Sequence, residues 1–221
     1  MKKVFFVVLM VSIAVFNLYS QSGVIRELTG DVELKPAGAS AFVQAKAGNE
    51  VAQDTIVSTG FKSTAIIVIG SNVITVRPLT RLSLAEIRSS AGTEDLSVNL
   101  QAGRVRVEVK PPAGTKANTT VQSPSATASV RGTIFDMDLF NLDTIDGVVD
   151  YQGSDGLSMP VAAGNSSEVT GDGASKDPVE VASAALQPGS PVGTGAAGET
   201  SSSSGSFVAG EFELSLSWGK E

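Results

Sequence analysis

Gly103-Arg104-Val105-Arg106-Val107-Glu108-Val109 places valine at every second position with Arg or Glu between, and this alternation decides the fold. Successive side chains of a strand point to opposite faces, so Val105, Val107 and Val109 make a dry face while Arg104, Arg106 and Glu108 make a wet one. The glycine ahead of them marks the turn that opens the strand.

Outward from this segment the same period recurs. Upstream, Leu96, Val98 and Leu100 alternate with Ser97 and Asn99, and Val32 and Leu34 alternate with Asp31 and Glu33. Downstream, Phe135, Met137 and Leu139 alternate with Asp136 and Asp138. Ala65 to Ile69 is a continuous apolar run, followed by Gly70-Ser71-Asn72 and then Val73 to Val76, which predicts two buried strands joined by a tight turn. Leu79 to Ile87 is the one stretch open to a helical reading, and its Leu82/Leu84 alternation after Pro78 favours a strand. Many short strands bounded by Gly-containing turns predict an all-β fold, an antiparallel β-sandwich or a compact β-roll. A short internal echo fits a repetitive β architecture: Ala47-Gly48-Asn49 leads to Glu50-Val51, and Ala163-Gly164-Asn165 leads to Glu168-Val169. Gly30, Gly103 and Gly147 likewise each open a strand.

The 221 residues hold 16 Lys and Arg, 23 Asp and Glu, and neither His nor Cys. That removes thiolate and imidazole nucleophiles, relays and metal ligands, and with them disulfide staples. Most enzyme chemistries are thereby removed, and the expectation is a binding or scaffold protein that is not an enzyme and carries no cofactor or metal. Met1-Lys2-Lys3, the apolar stretch from Val4 to Leu18, and Ser20 ahead of Gln21 have the form of a secretory signal peptide over residues 1–20. An uncleaved membrane anchor is the alternative, although the 15 residues from Val4 to Leu18 fall short of the roughly 20 that span a bilayer. No later stretch is long and apolar enough for a second membrane helix. The address expected from the leader is periplasmic or otherwise extracytoplasmic. Cleavage leaves a net charge of −9, concentrated in residues 141–221, which carry 12 acidic and 2 basic side chains. No basic stripe with interleaved aromatics is present, so nucleic acid is not the expected partner.

Residues 21–170 are expected to form the domain. From 171 to 206 the composition shifts to Gly, Ala, Ser and Pro, which predicts a flexible acidic linker. Residues 207–221 close the chain with a strand in which Phe212, Leu214, Leu216 and Trp218 alternate with Glu213, Ser215 and Ser217. It either folds back over an open sheet edge or is offered to a partner as an added strand. Folding back is favoured, because a free apolar strand invites aggregation.

The strands, taken in order, resemble a known family. Ala47-Gly48-Asn49-Glu50-Val51, Asp54 to Gly60, Ser63-Thr64-Ala65, Leu82-Ser83-Leu84, Leu100 to Val105 and Ala128-Ser129-Val130-Arg131-Gly132-Thr133-Ile134-Phe135 follow the succession of the FecR-type domain, with Ala-x-Val-Arg-Gly-Thr-x-Phe the most specific segment. The resemblance spans about residues 24–140 and implies an all-β extracytoplasmic module that binds a protein or cell-wall partner in the bacterial envelope, without catalysis. Family members that regulate sigma factors carry a cytoplasmic segment and a membrane helix ahead of the domain. This chain resembles the stand-alone secreted form, and a membrane-retained sensor with an uncleaved leader is the alternative.

Val130, Arg131, Gly132 and Thr133 are the candidate site. Arg131 presents a planar fork suited to a carboxylate, and glycine permits close backbone approach. The same residues also fit a structural role, with Arg131 tying strands through carbonyls and Gly132 forming a bulge. Asp136, Asp138, Asn141, Asp143, Asp146 and Asp150 form an oxygen-rich run, but apolar residues interrupt it and no Asp-x-Asp-x-Asp-Gly loop is present, so a solvated strand face is expected. Gly193-Thr194-Gly195-Ala196-Ala197-Gly198 matches the dinucleotide fingerprint in letters alone, without a strand before it or a helix after it.

Overall fold

The computed structural model describes residues 22–90, 92–179 and 181. The apolar leader at 1–20, most of the linker expected over 171–206, the Gly193–Gly198 segment and the terminal strand with Phe212, Leu214, Leu216 and Trp218 lie outside the described residues.

Period-two alternation becomes seventeen strands among the described residues. The first eight are β1 (Gly23–Thr29), β2 (Val32–Lys35), β3 (Val43–Gln44), β4 (Glu50–Val51), β5 (Ile56–Thr59), β6 (Thr64–Ile69), β7 (Asn72–Val76) and β8 (Arg81–Ser90). Then come β9 (Thr93–Ala102), β10 (Val105–Val109), β11 (Lys116–Gln122), β12 (Ala126–Val130) and β13 (Ile134–Met137). The last four are β14 (Asn141–Asp146), β15 (Val148–Gly153), β16 (Ser158–Ala162) and β17 (Ser166–Glu168). An eight-stranded sheet runs β17-β14-β13-β10-β7-β6-β1-β4, and a nine-stranded sheet runs β16-β15-β12-β11-β9-β8-β5-β2-β3.

Pairing is antiparallel throughout except between β9 and β11, where Leu96 stands beside Thr119 and Val98 beside Val121. Parallel neighbours need a crossover, and here the chain makes it by leaving for the other sheet as β10 and returning. The dry faces meet in one core: Ile25, Ile67, Ile74, Val107 and Phe135 from the first sheet, and Val57, Leu84, Val98, Val121 and Tyr151 from the second. Each of these is fully buried. A polar bond crosses the core between the sheets, from the Thr119 hydroxyl to Asn72 Oδ1 at 2.7 Å. It satisfies both groups where water cannot reach.

The strand predicted through Leu139 stops at Met137. The Asp138 carboxylate accepts the backbone N–H groups of Phe140 and Asn141 at 2.9 and 2.8 Å, a local turn that competes with the ladder. Leu139 packs against the core from that turn.

The Ala-Gly-Asn echo is one turn used twice. Asn49 donates to Lys46 O and Asn165 to Ala162 O, both at 3.1 Å, while Gly48 donates to Ile25 O and Gly164 to Thr144 O, both at 2.8 Å. Each turn lays a short strand, β4 or β17, on one end of the eight-stranded sheet. Beyond Thr170 the chain first turns back, with Val169 bridging Ser175 and the Ser167 hydroxyl donating to Lys176 O at 2.7 Å.

Candidate functional site

The Val-Arg-Gly-Thr segment is the step by which the chain passes from one sheet to the other. Val130 ends β12 in the nine-stranded sheet and is buried, and Ile134 begins β13 in the eight-stranded sheet. Gly132 makes the step with φ +131°, a conformation that strains any residue carrying a Cβ. Thr133 is buried, and its carbonyl accepts the Val109 N–H at 2.8 Å. The motif is thus divided in its roles. Gly132 and Thr133 join the sheets, whereas Arg131 is left exposed and holds no ion pair or side-chain hydrogen bond with the described residues.

Arg131 borders an open hollow of about 470 Å³ on the outer face of the nine-stranded sheet. Asn118, Thr120, Ser129 and Asp150 line it as well. The sheet register explains why these residues meet. Glu86 pairs with Ser97, Ser97 with Thr120, Thr120 with Ser129, and Ser129 with Asp150, one row across five strands. A second row runs Ser83, Asn99, Gln122, Thr127 and Gln152. Two further hollows on this face share Asn118, whose side-chain amide donates to Asp95 Oδ1 at 2.8 Å. Short hydroxyls floor the first hollow, with the Asn118 amide, the Arg131 guanidinium and the Asp150 carboxylate around it. Strand backbones fix these donors and acceptors, so they meet a ligand with little ordering cost. Sequence spacing hid this face because its residues come from β8, β9, β11, β12 and β15, and isolated Ser, Thr and Asn residues carry no motif.

The eight-stranded sheet carries charge on its outer face instead. Arg106 grips Asp136 through two hydrogen bonds, Nε to Oδ1 at 2.9 Å and Nη2 to Oδ2 at 2.8 Å. Arg77 Nη2 reaches both oxygens of the same carboxylate at 3.2 and 3.0 Å, and Arg104 Nη2 donates to Asp138 Oδ2 at 2.6 Å. Burial works to raise the Asp136 carboxyl, but the hydrogen bonds and charges of Arg106 and Arg77 outweigh it and hold it below the usual carboxylate range. Asp138 is likewise lowered, against the pull of burial, by Arg104 and by its own turn. The oxygen-rich run is therefore dispersed. Asp136 and Asp138 are bound by arginines, Asp143 accepts the Ser166 hydroxyl at 2.7 Å, and Asp150 lies on the other sheet.

Comparison with known proteins finds a family match within the β domain. The model of the FecR protein family matches residues 54–153, from the turn ahead of β5 to the end of β15. Two crystal structures of a protein of Parabacteroides distasonis described as an anti-sigma factor are similar to this chain, each at 13% identity with a TM-score of 0.45. The matches cover 59% and 57% of this chain, and the chain spans less than two thirds of either protein, 64% and 62%. No curated protein matches the chain.

Proposed function

We propose that this chain, whose residues 54–153 are a FecR domain, is a non-enzymatic extracytoplasmic binding protein that engages a protein or cell-wall component of the bacterial envelope. Its contact surface is the outer face of the nine-stranded sheet. The observation that carries this reading is the row in which Thr120 and Ser129 stand side by side, next to Asp150 in register and with Arg131 bordering the same hollow. A guanidinium fork and a carboxylate beside a floor of hydroxyls offer directional hydrogen bonds of both polarities, which suits recognition of a polar surface. The extracytoplasmic address rests on the basic-apolar leader over residues 1–20.

The test is cross-linking in intact cells with identification of partners by mass spectrometry, reading the mature N-terminus from the same spectra. A chain beginning near Gln21 and linked to envelope proteins or wall fragments supports the reading. A chain that keeps Met1 to Ser20 and links to membrane signalling components overturns it in favour of a membrane-retained sensor.

A further inference from the structure

Two tight turns lie side by side where β5 passes to β6 and β7 passes to β8, at the end of the sandwich away from Gly132. Phe61 and Lys62 form the tip of one, Pro78 and Leu79 the tip of the other. The two are stitched together: Leu79 N–H donates to Gly60 O at 3.1 Å, Thr59 Oγ1 donates to Arg77 O at 2.6 Å, and Thr59 Oγ1 accepts the Thr80 N–H at 3.0 Å. From this rigid base Phe61 stands 73% exposed and Leu79 61% exposed.

The backbone makes that exposure harder to dismiss. Lys62 and Leu79 both have φ +56°, the left-handed conformation that glycine or asparagine adopts at the second central position of such turns. A leucine there is strained, and it gains no burial in return. The turn holds the Leu79 N–H on Gly60 O, but the leucine side chain itself gains nothing inside the molecule, which points to what it meets outside.

Two cations, Lys62 and Arg81, stand here against one carboxylate, Asp31. The Lys62 amine lies 5.6 Å from the centroid of the Phe61 ring, and Arg81 begins β8 two residues after Leu79. Asp31, beside Gly60, is engaged by the Gln44 amide at 3.0 Å. A convex pair of apolar tips with cations at their base needs no preformed pocket in its partner. An anionic bilayer surface meets that requirement: the tips sink to the acyl boundary while the Lys and Arg head groups stay among the phosphates.

We propose that Phe61 and Leu79 form a wedge that inserts into the interface of an anionic phospholipid bilayer, with Lys62 and Arg81 on the headgroups. This is independent of the polar face on the nine-stranded sheet. The experiment uses the full chain with Trp218→Phe and Phe61→Trp, mixed with phosphatidylethanolamine–phosphatidylglycerol vesicles whose acyl chains are brominated. Val148→Trp, at the first residue of β15 at the opposite end of the sandwich and on the rim of the polar hollow, is the control for the apolar leader, which can tether the chain without orienting it. The indole at position 61 is expected to be quenched and that at 148 to stay bright. Leu79→Gly should weaken insertion about 10-fold, the loss of one buried leucine. The same variant should melt at an unchanged or higher temperature, because glycine adopts the turn without strain. An unquenched indole at 61, equal quenching at both positions, or insertion indifferent to Leu79→Gly overturns the proposal. Capture of protein by a photo-reactive residue at 61, with the indole bright in brominated vesicles, also overturns it and assigns the wedge to a protein partner.

Discussion

The Thr119 hydroxyl and the Asn72 amide oxygen, one from each sheet, meet in the core at 2.7 Å, and that bond lies directly beneath the polar hollow. Thr119 faces inward between Asn118 and Thr120, which face the hollow, so the anchoring bond and the candidate contacts share one short piece of β11.

Thr119→Val keeps the volume and leaves Asn72 Oδ1 without its donor. A buried acceptor left unpaired costs about 1–3 kcal/mol. Urea denaturation of Thr119→Val should show a loss of that size, and Thr119→Val combined with Asn72→Ala should lose less than the sum of the two single changes.

Asp136 ties the sheet's charge to pH. Its carboxyl titrates below the ordinary value of about 3.9 because Arg106 and Arg77 favour the charged form over the opposing effect of burial. A group lowered on folding stabilises the fold fully above its unfolded pKa, and that contribution fades as pH falls through the folded one. The wild-type protein should therefore lose stability steeply below about pH 4. Asp136→Asn should be weaker at neutral pH, by about 1–3 kcal/mol given the partly exposed arginines, and should show a flatter decline in acid. Chemical denaturation at a series of pH values measures both.

Gly103 allows the chain into β10. It has φ +84°, and a Cβ there would stand 2.3 Å from Thr80 Oγ1 and 2.7 Å from Leu79 O. Thr80 Oγ1 in turn accepts the Arg104 N–H at 3.0 Å, so little room can be made. Gly103→Ala should destabilise by more than about 2 kcal/mol, from strain and clash together, as a lowered thermal midpoint.

These elements differ in how plainly the sequence announces them. Val105, Val107 and Val109 alternate so regularly that β10 and its dry face are legible from seven letters, and Gly70-Ser71 marks the β6–β7 hairpin as clearly. Strand order is another matter. Nothing local to β9 or β11 says that they lie parallel with β10 in the opposite sheet, because that pairing is set by how whole faces bury one another. The same holds for Arg77 and Asp136, which are 59 residues apart in the chain and joined through the register of β7, β10 and β13. Arg131 was visible as part of a motif, but its neighbours Asn118, Thr120 and Ser129 are ordinary strand residues until the sheet aligns them. Leu79 in a left-handed turn runs against local preference, and composition has no means of flagging it.

Arg131→Ala separates the two roles open to the Val-Arg-Gly-Thr segment. The exposed guanidinium holds no partner among the described residues, so its removal should change stability by less than about 0.5 kcal/mol. Gly132→Ala, at φ +131°, should lower the melting temperature measurably. Differential scanning calorimetry of the pair is sufficient, and an Arg131→Ala protein that fails to fold would return the arginine to a structural role.

The binding face is tested most directly by placing a photo-reactive amino acid at Ser129, in the hollow, and at Thr75, on the outer face of the other sheet, and irradiating intact cells. The account predicts that position 129 links to envelope protein or wall fragments, that Arg131→Ala sharply reduces those links, and that position 75 gives few. Equal adducts from the two faces, or adducts at 129 unaffected by Arg131→Ala, would contradict it.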